Sequence, residues 1–419
     1  MQAWEDPTFP VLPGTGPVPR IYDSASGALV AAASDSEIAS LYVCGITPYD
    51  ATHLGHAATY LAFDTLQRLW RDAGYQVRYA QNTTDLDDPL LERAARDGVD
   101  WRVLAQEQTD AFRRDMELLR IIPPDHFVAV TEVVEEIADA VARLLDDGSA
   151  YRVDGDIYFD SSAESSWWFL GQQSRLDRAT MLELSAQRGG DPEREGKRDP
   201  LDPLLWRTER VGEPSWGSAL GRGRPGWHIG CSVIATKHLP TPLTVLGGGS
   251  DLIFPHHEYS AGHSAALTGH ALAGIYSHSG MIGYRGEKMS KSLGNLVLVS
   301  ALAESGADPA AIRLALLDGH YRADREWSPE LLTIAAARVQ RWRAWATSAA
   351  GESTVDDLRV VLAEDLDTAS ALEVVERWVE SEPATVSRVD AIDALLGVRL
   401  QEPPAVPPRP SARPSRLRR

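Results

Sequence analysis

The chain is short of the features that mark secreted and membrane proteins. Only two cysteines, Cys44 and Cys231, occur among its 419 residues, too few for a disulfide framework. No apolar run approaches the length of a membrane span, and the N-terminus lacks a basic-then-apolar leader pattern. Positive charge is scarce as well: 41 Lys and Arg stand against 60 Asp and Glu, a net charge of −19. That balance argues against a broad nucleic-acid surface, although an acidic protein can still carry a local basic groove. No internal repeats are evident. With 24% charged and 43% hydrophobic residues, the expectation is a globular, soluble, cytoplasmic protein of two or three domains. Residues 401–419 stand apart, with six prolines and five arginines against one acid, and read as a flexible tail without chemistry.

Two short runs carry chemistry. Residues 40–45 read as a buried strand, and from Gly55 to Ala73 the apolar residues Ala58, Leu61, Ala62, Leu66, Leu69 and Ala73 repeat with a helical period. His53-Leu54-Gly55-His56 lies where the helix begins, with Thr52 or His53 at the cap. Free backbone N–H groups there favour an anion, and a spacing of three puts both imidazoles on one face. Gly55 leaves room for a nucleotide to approach the backbone. The second run, Lys288-Met289-Ser290-Lys291-Ser292, follows an expected strand from Ile275 to Ile282 and a turn at Arg285-Gly286. Its two lysines and two hydroxyls suit a triphosphate. Either run alone also reads as an ordinary surface segment.

The cysteines sit in suggestive places. Cys44 ends the strand before the histidine loop, and Cys231 follows Trp227-His228-Ile229-Gly230. Phe254-Pro255-His256-His257-Glu258 comes shortly after Gly247-Gly248-Gly249-Ser250-Asp251. Two thiolates and an imidazole would form a soft zinc site with one position open. Spacing alone leaves two buried free thiols as the other reading.

In this order the histidine and lysine runs resemble the HIGH and KMSKS motifs of the class I aminoacyl-tRNA synthetases. The segments 42–50, 82–88, 224–232 and 249–258 resemble cysteinyl-tRNA synthetases in turn, over about residues 40 to 330. Three positions depart from those enzymes. Tyr259-Ser260 replaces an Asn-Glu whose glutamate is a fourth zinc ligand, Gly230 replaces an acidic residue, and His56 replaces an asparagine. The run Cys44 to Tyr60 instead resembles the mycothiol-biosynthesis ligases that join cysteine to glucosaminyl-inositol. Gln187-Arg188-Gly189-Gly190-Asp191-Pro192 resembles their Glu-Arg-Gly-Gly-Asp-Pro motif, with Gln187 in place of glutamate; without the resemblance it reads as an exposed turn.

The resemblance implies an α/β fold: a class I synthetase-type Rossmann nucleotide-binding domain with an inserted α+β connective unit and a C-terminal helical bundle. The expected boundaries are 1–114 and 221–295 for the two halves of the Rossmann domain, 115–220 for the insert, 296–400 for the helical domain and 401–419 for the tail. Within the insert, Tyr151 to Phe159 reads as a hairpin turning at Asp154-Gly155. Residues Ala310 to Ala346 and Val355 to Leu396 read as helices.

It also implies that cysteine and ATP, with Mg²⁺, give a cysteinyl-adenylate whose carbonyl is attacked by the amine of glucosaminyl-inositol. Cys44, Cys231 and His256 would bind one Zn²⁺ per chain. His53, His56, Lys288 and Lys291 would serve the phosphates. Cys44, Gly45, Ile46, Thr47, Thr59, Asn82, Thr83, Thr84, Trp227, Gly249, Ser250, Asp251 and Ile282 would line the cysteine and adenylate site, with Asp251 on the ribose hydroxyls and Ile282 on the adenine. An ordinary core role is the other reading of Trp227, as caps and turns are for Asp50, Asp85, Asp87 and Asp88. The expected protein is a monomer that does not use tRNA. A shortened tRNA-charging enzyme and a non-catalytic paralogue are the alternatives.

Overall fold

The computed structural model describes residues 1–34, 36–49, 52–289 and 294–400. A hairpin of β1 (Arg20–Asp23) and β2 (Ala28–Ala31) precedes the central sheet. The sheet starts with β3 (Ile38–Val43), whose burial is nearly complete because both faces are covered. Helix α1 (Leu54–Asp72) crosses to β4 (Gln76–Thr83), and α2 (Asp88–Asp97) and α3 (Trp101–Leu118) lead to β5 (His126–Ala129). After α4 (Val134–Asp146) the chain leaves this sheet. The strands β6 (Ala150–Val153), β7 (Asp156–Phe159), β8 (Leu204–Thr208) and β9 (Gly223–Pro225) form an antiparallel sheet, with α5 (Arg178–Gln187) between β7 and β8. Then α6 (Trp227–His238) returns to β10 (Leu243–Gly249), and α7 (Glu258–Thr268) to β11 (Ala273–Ser279).

The central order is β11-β10-β3-β4-β5, with every pairing parallel. The order reverses between β3 and β10. In open parallel sheets, ligands bind in the crevice at such a switch, beyond the carboxyl ends of the strands. Cys44 follows β3 directly, and its N–H extends the ladder to the Gly247 carbonyl at 3.1 Å. The sheet therefore delivers the glycine run and the first cysteine to the same end.

The remaining elements brace this end. β12 (Ile282–Tyr284), β13 (Glu287–Lys288) and β14 (Arg325–Trp327) form a small sheet. Helices α8 (Val299–Glu304), α9 (Pro309–Leu317), α10 (Pro329–Ala346), α11 (Asp356–Ala363), α12 (Thr368–Ser381) and α13 (Val386–Leu396) make the C-terminal part.

Several boundaries differ from those expected. β5 pairs with β4 and so belongs to the central sheet, although it falls inside the expected insert 115–220. A four-residue strand after two prolines is too brief to show alternation. The antiparallel unit ends with Pro225 rather than residue 220. The expected strand Ile275 to Ile282 stops at Ser279. Gly280 lies where an added Cβ would sit 2.4 Å from the Ala323 backbone, and Ile282 starts a different sheet. The expected helix 310–346 is likewise broken, because β14 pairs with β12 between α9 and α10. The hairpin at Asp154-Gly155 forms as read, between β6 and β7.

Helix α1 is buried on nearly every side, as expected of a helix at the centre of a fold. Its polar residues are therefore paired. Arg68 Nε donates to Asp64 Oδ2 at 2.8 Å, and the Arg313 guanidinium of α9 donates to the same oxygen. Ile122 N donates to Asp64 Oδ1 at 2.8 Å. Arg68 also donates to the Asp393 and Ala394 carbonyls at 3.1 and 3.0 Å, and Arg313 to Leu396 O at 2.6 Å. One carboxylate thus ties α1 to α9 and, through the arginines, to α13.

Burial by itself would raise the Asp64 carboxyl, but Arg68 and Arg313 together hold it below the ordinary carboxylate range. Stability from this depressed value is complete above the unfolded pKa and is lost as pH falls through the folded one. Asp64→Ala strands two buried cations and should lower unfolding free energy by about 3–5 kcal/mol, read as a shift in denaturant midpoint. A midpoint within experimental error of the parent protein would show the network to be dispensable.

Candidate active site

The histidine loop is built by the start of α1. His53 is the N-cap residue, and its Nδ1 accepts from Gly55 N at 3.1 Å. The His53 and His56 rings stack with centroids 3.9 Å apart at 25°. Both are half-buried, at the edge of the crevice. The segment beyond the lysine run is paired to this loop. Leu54 N donates to Val297 O at 2.9 Å, Val299 N to Thr52 O at 3.3 Å, and His53 bridges Leu298. Two motifs far apart in sequence thus share one structural join. Lys291 lies outside the described residues, as does the side chain of Lys288; the Lys288 backbone pairs with Gly283 in β13.

At the ends of β3 and β4, Asn82 organises the next part. Its Oδ1 accepts from Gly45 N at 2.8 Å and from the Tyr42 hydroxyl at 3.1 Å, while its Nδ2 donates to Thr84 Oγ1 at 3.0 Å. Thr84 N donates to Ile46 O at 2.9 Å. A Cβ on Gly45 would lie 1.5 Å from the Asn82 carbonyl oxygen, so no side chain fits there. Thr83 is fully buried, and Thr47 is half-buried beside these residues in the chain. Thr59 Oγ1 meets Ser279 Oγ at 2.7 Å, which joins α1 to the end of β11. Gly249, Ser250 and Asp251 follow from β10 and are half-buried, whereas Ile282 is buried in the core.

The two cysteines converge. Cys44 Sγ and Cys231 Sγ are 4.0 Å apart, and His256 Nε2 is 3.2 Å from Cys231 Sγ. The ligand atoms of Cys44, Cys231 and His256 all lie within 4.8 Å of one another, and all three residues are buried. Burial pushes the Cys44 thiol up, whereas the hydrogen bond from Cys44 draws Cys231 down. Burial makes it costly for two sulfurs this close to ionise together without a cation to share. Two thiolates and an imidazole are the soft donor set that suits zinc.

Imidazoles surround this group. His257 Nε2 lies 3.2 Å from Cys44 Sγ, His257 Nδ1 is 2.8 Å from His278 Nε2, and His278 Nδ1 is 2.8 Å from Ser24 Oγ. His228 Nδ1 is 3.0 Å from His256 Nδ1. Burial lowers His228 and His257 and takes His278 down to about 3, so these rings are neutral. Trp227 is half-buried, with its ring centroid 4.6 Å from that of His256. It caps the histidines rather than filling the core.

Among the described residues of the acidic cluster, Asp87 takes the expected cap role, whereas Asp85 and Asp88 are held by partners far along the chain. Asp85 accepts from Thr131 N at 3.0 Å, Asp87 caps α2, and Asp88 pairs with Arg224 and Arg207. Burial raises Asp87 to about 6. Asp50 lies outside the described residues. Sequence reading missed His257, His278 and Glu258. The Glu258 carboxylate accepts from Trp168 Nε1 at 3.0 Å, Gly171 N at 3.1 Å, Gln173 N at 3.2 Å and Ser174 N at 2.8 Å. For His257 and Glu258 the signal was the unbroken His-His-Glu run, read for its first member only; His278, within β11, has no such local signal.

The departures have a local cause. An added Cβ on Gly230 would meet Val130 and Ile137 methyl groups at 3.5 and 3.7 Å, surroundings unsuited to a carboxylate. Ser260 Oγ donates to the His228 carbonyl at 3.2 Å.

The model for the tRNA synthetases class I (C) catalytic domain matches residues 30–337. An L-cysteine:1D-myo-inositol 2-amino-2-deoxy-alpha-D-glucopyranoside ligase of Clavibacter michiganensis subsp. michiganensis is 58% identical, the match covering 97% of this chain and 100% of that one. The chain belongs to this ligase family. The ligase of the same name from Nakamurella multipartita is 56% identical over 96% of this chain and 100% of its own. Solved structures support the same fold. Mycobacterium tuberculosis methionyl-tRNA synthetase in complex with methionyl-adenylate has a TM-score of 0.59 at 19% identity, over 87% of this chain and 89% of that one. The Agrobacterium radiobacter K84 agnB2 LeuRS complex has 0.56 at 12%, over 86% and 83%.

Asn82→Ala would leave the buried Tyr42 hydroxyl and the Gly45 N–H without their acceptor. It should cost about 1–3 kcal/mol of stability, measured by chemical denaturation. An unchanged midpoint would mean that water replaces the amide.

Proposed function

We propose that the chain ligates L-cysteine to the amine of 1D-myo-inositol 2-amino-2-deoxy-alpha-D-glucopyranoside, forming an amide at the expense of ATP, with AMP and pyrophosphate released. The observation that carries this reading is the convergence of Cys44, Cys231 and His256, together with the stacked His53 and His56 at the start of α1. A soft-donor group selects a thiol, and the histidine loop at a helix start meets phosphate. The acceptor half is supported by likeness to ligases of that name along almost the whole of both chains.

In the first step the cysteine carboxylate attacks the α-phosphate of ATP, the bond to the β-phosphate oxygen breaks, and pyrophosphate leaves. Negative charge grows on phosphate oxygens as this happens. His53 and His56, at the opening of α1, are assigned to meet it, with Lys288 and Lys291 assigned to the outer phosphates of the magnesium complex. Gly45, Ile46, Thr47, Asn82, Thr83 and Thr84 line the cysteinyl and adenylate groups at the ends of β3 and β4. Thr59 contacts the adenylate, Gly249, Ser250 and Asp251 hold the ribose end with Asp251 bonding its hydroxyls, and Ile282 packs on the adenine. In the second step the acceptor amine attacks the activated carbonyl, AMP departs and the amine gives up a proton.

Cys44, Cys231 and His256 would hold zinc, which supplies a soft Lewis-acidic position for the substrate thiolate. His228 would orient His256 through its Nδ1, and His257 would contact Cys44, the outer partners that such ligands require. Trp227 covers this corner and excludes water from it.

Pure protein with ATP, cysteine and either the glucosaminyl-inositol or tRNA decides the acceptor. Amide and AMP should form with the sugar; charging of tRNA without amide formation would overturn the reading. Elemental analysis should give about one zinc per chain, lost or weakened in Cys44→Ala and Cys231→Ala. Full retention in both variants would place the metal elsewhere. Chelation should abolish the preference for cysteine over serine in adenylate formation.

A further inference from the structure

The run Gln187-Arg188-Gly189-Gly190-Asp191-Pro192 has no part in the chemistry described above, yet its side chains are committed. Gln187 is exposed, and its amide donates to Glu183 Oε1 at 3.0 Å, one turn back on α5. A Cβ on Gly190 would lie 2.7 Å from the Ser185 carbonyl oxygen, so the chain folds tightly back on the helix end. Asp191 accepts from the Tyr158 hydroxyl at 2.5 Å and from Lys197 at 3.0 Å. These contacts fix the run within the inserted unit.

The Arg188 side chain reaches out of that unit. Its Nη1 donates to the Asp251 carbonyl at 2.5 Å and also to the Phe254 carbonyl. Both carbonyls belong to the turn between β10 and α7. Phe254 has an extended backbone there, with φ −137° and ψ 137°, in the middle of an otherwise helical turn. Such a break takes carbonyls out of the helical ladder, and buried carbonyls need donors. One cation therefore holds the turn near its start, at Asp251, and again two residues before His256. A guanidinium suits this task because its N–H directions are fixed in a plane, whereas an ammonium offers a freely rotating point charge.

We propose that Arg188 is a positioning residue through which the inserted unit sets the Asp251–Phe254 turn, and thereby aims the Asp251 carboxylate at the ribose hydroxyls of ATP. The proposal rests on the assignment of Asp251 to the ribose made above. It gives Arg188 a task at the nucleotide although it does not touch the nucleotide.

The test is cysteine-dependent pyrophosphate exchange with ATP and with 2′,3′-dideoxy-ATP, which lacks both hydroxyls. The parent enzyme should prefer ATP, and Arg188→Met should reduce that preference about 10–100-fold, the scale expected when a binding group is misplaced by about 1 Å. The loss should fall on ATP, with the dideoxy rate little changed. Asp251→Asn should remove the preference as well. If Asp251→Asn removes it and Arg188→Met lowers both nucleotides equally, Arg188 is merely structural and the proposal fails. If Asp251→Asn keeps the parent preference, the ribose assignment itself is wrong and the proposal falls with it. Should Arg188→Met not fold, Arg188→Lys keeps the charge but loses the planar fork, and the same comparison applies with a smaller reduction.

Discussion

The active end of this protein depends on bringing two buried sulfur atoms to within 4.0 Å of each other. Nothing in the sequence places them near each other, since one ends a strand and the other lies in the first turns of α6. The parallel sheet does so. β3 and β10 are neighbours across the point where strand order reverses, so whatever follows β3 faces the glycine run of β10 and the helices on either side. A pair of thiols in such a place is electrostatically incomplete. Burial opposes charge on Cys44, while hydrogen bonding from Cys44 favours it on Cys231, a thiol–thiolate pair that a shared cation would turn into two thiolates. The donors around them agree with this. His228 and His257 are held neutral by burial, which leaves ring nitrogens free to orient ligands instead of repelling a cation.

A precise pocket needs a rigid frame, and helix α1 is its main strut. One end carries the His53 cap. Further along, Asp64 binds Arg68 and Arg313, whose other donors end on carbonyls of the α13 terminus and of the chain after α3. Two arginines on one buried carboxylate would be unfavourable if their remaining N–H groups were unsatisfied. Here those groups are spent on backbone oxygens at helix ends, where acceptors are otherwise left over. The C-terminal helices thus act on the phosphate end of the site through α1, without contributing a residue to it. The segment 297–299 adds a second brace by pairing directly with the histidine loop.

Much of this was legible because the strongest signals are periodic or compositional. The buried strand before Cys44, the long helix after His53 and the Asp154-Gly155 hairpin each follow from local pattern. Reading failed where tertiary pairing decides. β5 is only four residues long and follows Pro123-Pro124, so nothing local separates it from a loop. Ile282 looked like the end of a strand that in fact stops at Ser279, because the approach of Gly280 to the Ala323 backbone redirects the chain. At the site, Cys44, Cys231 and His256 could be grouped only through likeness to a family, since 187 residues separate the two thiols. The roles of His257, His278 and Glu258 depend on which way buried side chains point, and a sequence does not carry that direction.

Two of the three departures from the cysteinyl-tRNA synthetases, Ser260 and Gly230, bear on how such a site would choose its amino acid. Ser260 is too short to act as the glutamate would, and its hydroxyl is already committed to the His228 carbonyl. Gly230 faces the methyl groups of Val130 and Ile137, so the pocket has an apolar wall where those enzymes have an acid. Each change removes a hard oxygen donor from the neighbourhood of the two sulfurs. A cation held by soft donors alone gains more from a thiolate than from a hydroxyl, because matched softness adds to the electrostatic attraction. Losing the oxygen ligand therefore does not weaken discrimination against serine in the proposed reading. It would sharpen it, since Cys44, Cys231 and His256 would hold the cation with soft donors alone and the substrate's own sulfur would match them better than a hydroxyl.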